Sequence, residues 1–260
     1  MSLVIAVVLA AVSVVGCSGD AGAEFNLDRP ASSVVAEAAE NTLGLTPAEI
    51  AFEVRSPQGG YRAIGLIEGA EGRFRVSAEG EPSLGSEGAV TAVGMPENGR
   101  PVTLREEYSR YQGERQHCWI GTHSPVGANR ATASVQEAIH LITAALEALQ
   151  RDVRRASIIG DRDETERDFA VAVSPANRDA AGKSSFYREA SLRRNLSGRI
   201  GVTVSKEGIV TALRPRLGDY VPIYGWEARR LEARPVSIEA TFARTEDGLD
   251  LTSPPCMGTE

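Results

Sequence analysis

The chain contains three cysteines, Cys17, Cys118 and Cys256, and a thiol is the side chain here with the most specific chemistry. A cysteine can be acylated, can pair in a disulfide, or can bind a metal as its thiolate. Which of these applies depends on the compartment in which the protein resides. The first residues of the chain carry the signal for that compartment.

The first 16 residues have the pattern of a signal peptide. Residues 3–15 are apolar apart from Ser13, and the run is too short for a membrane-spanning helix of about 20 residues. The sequence VVGC at residues 14–17 resembles the bacterial lipobox, in which the cysteine receives diacylglycerol and the peptide bond before it is cut. No lysine or arginine precedes the apolar run, which departs from the usual signal. An ordinary secretory signal with an incidental Cys17 is the alternative.

A lipidated Cys17 would attach the protein, through diacylglycerol and palmitate-type chains, to the extracytoplasmic face of the cell membrane. Residues 17–31 are predicted to form a flexible tether, because they contain few apolar side chains and end near Pro30. Residues 32–260 are then one domain. The net charge of −7 disfavours nucleic acid as a partner, since phosphate binding needs a basic surface.

With Cys17 acylated, Cys118 and Cys256 remain, and in an oxidising envelope an isolated pair usually forms a disulfide. Such a bond would close a loop on the order of 140 residues and stabilise the fold by up to about 5 kcal/mol. A reactive thiol or a metal ligand is the alternative, because His117 and His123 lie near Cys118 in the sequence. Their spacing matches no zinc-binding pattern.

Motifs for catalysis or nucleotide binding are missing from the sequence. The chain has no G-x-S-x-G, no Walker loop, and no glycine-rich dinucleotide fingerprint after a strand. The acidic run at residues 161–168 is interrupted by arginines and lacks the spacing of a calcium loop. We therefore expect neither an enzyme nor a cofactor or metal site, and we interpret the acidic run as a solvated loop.

Hydrophobic periodicity predicts two helices among many strands. Residues 32–43 form the first helix, and residues 134–153 form the second, which Ser134 and Glu137 begin as a capping box. Alternating or apolar segments predict strands at residues 50–55, 61–68, 72–78, 89–94, 101–108, 118–122, 169–173, 199–205, 208–213, 236–243 and 249–252. Residues 174–197 and 215–231 read as long loops or short surface helices. The predicted fold class is α+β, a single curved and mostly antiparallel half-barrel sheet with the helices on its concave face.

This order of elements resembles the LolA-like half-barrel lipoproteins of the actinobacterial envelope, the LprG/LppX/LprA group. The similar features are the lipobox, the tether, the opening helix, the hairpin GVTVSKEGIVTAL and the closing segment IEATFARTEDGLDLTSPP. The resemblance implies a protein that holds a lipid or lipoglycan in an apolar cavity and carries it across the envelope.

Such a cavity would lie between the second helix and the sheet. The residues expected to line it are Ile139, Ile142 and Leu146 of the helix and Phe52, Val54, Phe74, Val171 and Val202 of the strands. Alternation predicts which face is buried and leaves open whether that face is hollow. A filled core is the alternative, and it would favour a structural lipoprotein that binds another envelope protein.

Overall fold

The structure is a computed structural model, and it describes residues 25–56, 59–69, 71–80, 89–97, 100–111, 114–122, 130–160, 163, 165–173, 199–220 and 234–251. Its two helices are α1 (Ala31–Leu43) and α2 (Arg130–Arg151). The strands before α2 are β1 (Ala48–Ser56), β2 (Gly59–Glu68), β3 (Arg73–Glu79), β4 (Ala89–Glu97), β5 (Arg100–Tyr111) and β6 (Glu114–Thr122). The strands after it are β7 (Val153–Ile159), β8 (Glu166–Val173), β9 (Arg199–Ser205), β10 (Val210–Tyr220) and β11 (Arg234–Arg244).

All the strands belong to one sheet of 11 strands in the order β6-β5-β4-β3-β2-β1-β11-β10-β9-β8-β7. Neighbouring strands pair antiparallel throughout, and the sheet does not close into a barrel. The chain proceeds from the centre to one edge through β1–β6, and α2 then leads to the opposite edge at β7. Strands β7–β11 return to the centre, where β11 pairs with β1. The prediction of a single antiparallel sheet with two helices is confirmed.

One face of the sheet is apolar, and we call it the inner face. A row of inward side chains crosses seven adjacent strands through the register pairs Ala78, Ala63, Phe52, Ala240, Leu213, Val202 and Phe169. Every member of this row is buried. The buried apolar residues of α1 and α2 belong to the same core cluster as this face. Burial of this apolar surface is the main stabilising contribution to the fold.

The opposite, outer face carries charged side chains in the part of the sheet around β10. Arg214 donates to Glu239 across 3.1 Å and to the hydroxyl of Thr203 across 3.2 Å. Arg214 and Glu239 are about half exposed, so each such pair contributes little to stability. Polar side chains on alternate positions keep this face in water while the inner face is buried.

Helix α1 forms where the sequence predicts it, beginning one residue earlier than expected. Pro30 precedes its first turn, and the helix ends at Gly44, whose N–H donates to the carbonyl of Glu40 across 3.0 Å. Its buried side consists of Val34, Val35, Ala38, Ala39 and Thr42. The short side chains allow α1 to approach β7–β10 closely.

Helix α2 differs from the prediction at both ends. It begins at Arg130, so Ser134 and Glu137 lie inside the helix and the proposed capping box is wrong. It ends at Arg151, and Arg154 and Arg155 belong to β7, a strand the sequence analysis missed. In the sequence, arginines follow the apolar stripe of α2 directly, so nothing indicates that the helix ends and a strand begins. Strand β7 lies at the edge of the sheet, is partly exposed, and lacks a clear alternation of apolar and polar residues.

Three other segments depart from the prediction. Strand β8 begins at Glu166, within the run interpreted as a loop, because its charged residues alternate between the two faces. Strand β10 continues to Tyr220, where a loop was expected. Residues 249–251 are not a strand. The loop predicted at residues 174–197 lies outside the described part of the chain.

The packed domain also extends further toward the N-terminus than residue 32. Residues 25–30 lie against it, and we call them the strap. Leu27 is 7% exposed and belongs to the core cluster. Phe25 donates its N–H to the carbonyl of Lys206 across 2.9 Å. This segment has few apolar groups, which is why the sequence alone favoured a tether.

Candidate functional site

The residues predicted to line a cavity are brought together on the inner face. Seven of the eight are at most 3% exposed, namely Phe52, Phe74, Ile139, Ile142, Leu146, Val171 and Val202. The eighth, Val54, is partly buried and packs against the same cluster. Helix α2 therefore presents its apolar stripe to the same core as β1, β3, β8 and β9. Whether a ligand can occupy this position remains a prediction.

Three of these residues, Ile142, Val171 and Val202, have no accessible surface at all. A side chain beside a void large enough for water would keep some accessible surface, so the core is tightly packed at these positions. The ring of Phe74 fills the space that a side chain at Gly94 would need, so a glycine is required there. A ligand would therefore have to displace side chains or a helix to reach this part of the wall.

Polar side chains also lie within this apolar interior, and the sequence analysis did not identify them. Tyr61 of β2 is 4% exposed and packs edge-on against Phe52, with ring centroids 6.2 Å apart. From α2, Gln136 and Glu137 are 6% and 8% exposed. Burial raises the pKa of Tyr61 well above its usual value, and the charge of Glu137 raises it further. The alternation of β2 could have identified Tyr61, since it lies two residues before the buried Ala63.

His140 of α2 is another titratable side chain whose pKa departs clearly from its ordinary value. It lies half-buried, one position beyond Ile139 of the predicted wall. Burial lowers its pKa to about 4, because the imidazolium form loses its hydration. The side chain is therefore neutral at physiological pH.

A buried arginine lies at the α1 side of the inner face. Arg167 pairs in register with Val204, two positions from the Phe169–Val202 pair, so it points toward the core. Its Nη1 donates to the carbonyl of Leu27 across 2.6 Å and to the carboxylate of Asp28 across 3.0 Å. The sequence analysis placed Arg167 in a solvated loop. The alternation of β8 could have identified Arg167 as a buried residue, since it lies two positions before the buried Phe169.

An open depression of about 450 Å³ lies at the β1–β2 hairpin, away from the predicted wall. Its lining includes Glu53, Arg55 and Arg62. Glu53 forms ion pairs with Arg55 at 2.7 Å and with Arg62 at 3.7 Å, and the hydrogen bond from Arg55 lowers the pKa of Glu53. Charges that are already paired with one another make this an unsuitable site for an apolar ligand.

The predicted cysteine sites fall outside the described side chains. The backbone of Cys118 lies in β6 opposite Glu107, while its side chain, Cys17, Cys256 and His123 are outside the described part. Within the described ranges, no three His, Cys, Asp or Glu side chains form a group that could hold a metal ion. Neither described helix is long and apolar enough to cross a membrane.

No protein-family model matches the chain, and no curated protein matches it either.

Proposed function

We propose that this protein is an envelope lipoprotein, anchored through Cys17 on the extracytoplasmic side of the cell membrane, that binds a lipid, lipoglycan or other amphiphile between its sheet and α2. The observation that carries the proposal is the common position of the predicted wall. Seven of its eight residues are at most 3% exposed and lie in one apolar cluster between α2 and the inner face. No catalytic step is part of this function.

A curved sheet would create the concave face that such a site needs, and the position of α2 favours curvature. The backbone of α2 comes close to β4 and β5 on one side and to β7 and β8 on the other. Strands β5 and β7 are nine positions apart, which corresponds to about 43 Å in a flat sheet. The 22 residues of α2 span only about 33 Å. A half-barrel, in which α2 lies across the opening, accounts for both contacts.

The polar side chains within the interior suit an amphiphile better than a hydrocarbon. Tyr61 and Glu137 offer a hydroxyl and a carboxylate in an environment where polar groups are strongly directional. Since the wall is packed at Ile142, Val171 and Val202, the ligand enters as α2 moves away from the sheet. Binding then depends on a population of the opened state.

The proposal is tested by fractionating a bacterial host that processes lipoproteins. The full chain should be recovered with the membrane, and Cys17→Ser should release it. Organic extraction of the membrane-bound chain followed by mass spectrometry should yield a bound amphiphile in stoichiometric amount.

Two matched substitutions test whether the ligand binds against the predicted wall. Ile142→Phe reduces the space beneath α2 and should lower the extracted amount severalfold. Ile158→Phe makes the same change at a side chain on β7 that is 46% exposed, and it should leave the amount unchanged. Thermal unfolding verifies that both variants are folded. A folded wild-type chain that yields no amphiphile would refute the function.

A second candidate is a structural or protein-interaction lipoprotein with a filled core. It is favoured by the complete burial of Ile142, Val171 and Val202 and by the exposure of Ile64, which is 56% exposed on the outer face. An empty, membrane-anchored chain in the extraction experiment would support this candidate. Capture of an envelope protein that is lost on Ile64→Thr would then identify the surface involved.

A further inference from the structure

The strap and Arg167 form a contact that joins the N-terminus of the domain to its interior. The side chain of Arg167 is only 7% exposed, whereas the side chain of its partner Asp28 is 65% exposed. The guanidinium thus lies just beneath the surface, at the rim of the apolar core. Leu27, the neighbour of Asp28, inserts its apolar side chain into the core itself.

The strap satisfies Arg167 only in part. Both hydrogen bonds to the strap use Nη1, and Nε is buried with no hydrogen-bond partner in the described part of the structure. A guanidinium binds a carboxylate or phosphate most strongly through two parallel N–H donors. An anion that also accepts from Nε would therefore use a donor that the strap leaves without a partner.

The strap itself has the composition of a short amphiphile. Leu27 places an apolar group in the core, and Asp28 places a carboxylate on Arg167 at the surface. A fatty acid or a phosphorylated lipid has the same arrangement, with an apolar chain that ends in an anionic group. The two would compete for the same position.

The other contacts that hold the strap are at the surface. Arg29 pairs with Glu37 of α1 across 2.7 Å and lies 4.7 Å from the centre of the Phe25 ring. The side chains of Arg29 and Glu37 are 34% and 46% exposed, so this pair contributes little to stability. Displacement of the strap would therefore cost mainly the burial of Leu27, the bonds to Arg167, and the packing and backbone hydrogen bond of Phe25.

We propose that Arg167 binds the anionic headgroup of the amphiphilic ligand, and that the strap occupies this site until the ligand displaces it. The inference rests on the proposed function, because it assumes that an amphiphile enters the interior. It assigns the ligand a negative charge and assigns the strap an autoinhibitory role.

The test measures binding of a fluorescent fatty acid, dansyl-undecanoic acid, and its uncharged methyl ester to the full chain at about pH 8. Asp28→Asn removes the competing carboxylate at an exposed position and should tighten binding of the acid about tenfold. It should tighten binding of the ester much less, because the ester carries no anionic group to pair with the freed guanidinium. Arg167→Met should remove the preference for the acid. Arg167→Lys keeps the charge without the fork of donors and should retain an intermediate preference.

Glu37→Gln is the control, because it loosens the strap at α1 without contact to Arg167, and it should leave the preference for the acid unchanged. Circular dichroism verifies that each variant is folded. The inference is overturned if Asp28→Asn leaves acid affinity unchanged, or if a folded Arg167→Met still prefers the acid. In those cases binding of the ester by the wild-type chain still supports the proposed function. If no variant binds either probe, the proposed function fails as well.

Discussion

Helices α1 and α2 cover the same sheet face but bury different kinds of side chain. The buried side of α1 consists of small apolar residues and Thr42, whose hydroxyl donates to Ala38 and accepts from the N–H of Val210. The buried side of α2 includes Gln136 and Glu137, with the half-buried His140 beside them. Short side chains and satisfied hydrogen bonds fix α1 on β10, whereas the buried side of α2 combines large apolar side chains with polar ones, and His140 beside them can change charge.

This difference suggests that α1 is the fixed part of the fold and α2 the part that adapts. A ligand that enters the interior gains most where the covering helix can move at low cost. Similar substitutions beneath the two helices should therefore destabilise the protein by different amounts.

The largest effect is expected at Phe169 of β8, a strand that both helices contact. Its register partner Val202 lies on β9, which α1 contacts. Phe169 has no accessible surface, so Phe169→Ala should lower the free energy of unfolding by about 3–5 kcal/mol through lost burial and a cavity that α1 cannot close. Phe74→Ala makes the same change on β3, beside β4, which α2 contacts. It should cost at least about 1 kcal/mol less, because α2 can settle toward the sheet. If both variants lost the same free energy of unfolding in urea, the proposed difference between α1 and α2 would be wrong.

The second prediction concerns the acid sensitivity of α2. His140 has a pKa of about 4 in the folded protein, whereas the unfolded chain binds this proton at about pH 6.5. The unfolded state therefore holds more protons between these values, so the stability contributed by neutral His140 is complete above about pH 6.5 and falls as the pH decreases toward 4. The loss through this residue should reach about 3 kcal/mol at about pH 4.

His140→Gln removes the titration of this residue. The difference in the free energy of unfolding between wild type and variant, measured in urea, then separates the effect of His140 from that of the carboxylates. That difference should grow as the pH falls from about 7.5 to about 4. A difference that is constant with pH would mean that His140 is well hydrated in the folded protein. Burial of α2 would then not be coupled to protonation.

The sequence was sufficient to assign the inner face because alternation is a local property. Phe52 and Phe74 were predicted to point inward, and both are buried. The order of the strands was not accessible in the same way. Strand β1 pairs with β11, and no local pattern reports a contact between segments so far apart in the chain.

The errors at the candidate site have a common physical origin. Glu137 was assigned to a capping box because that motif is recognised from four residues, but α2 begins further upstream and buries Glu137. Arg167 was assigned to a loop because charged residues are rarely buried unless they are paired. Its partner Asp28 is 139 residues away, so the pairing that makes its burial possible was invisible in the sequence.

The smallest predicted effect tests whether α1 is held by its polar contact to β10. Thr42→Val keeps the shape of the side chain but leaves the N–H of Val210 buried without its acceptor, which should lower the free energy of unfolding by about 2 kcal/mol. Thr241→Val is the matched control, because its hydroxyl lies on the exposed face, and it should cost less than about 0.5 kcal/mol. Since neither threonine titrates, both differences should stay constant from about pH 7.5 to about 4. A loss at Thr42 that matched the control would mean that apolar packing alone fixes α1, and the contrast with α2 would then depend on His140 and Glu137.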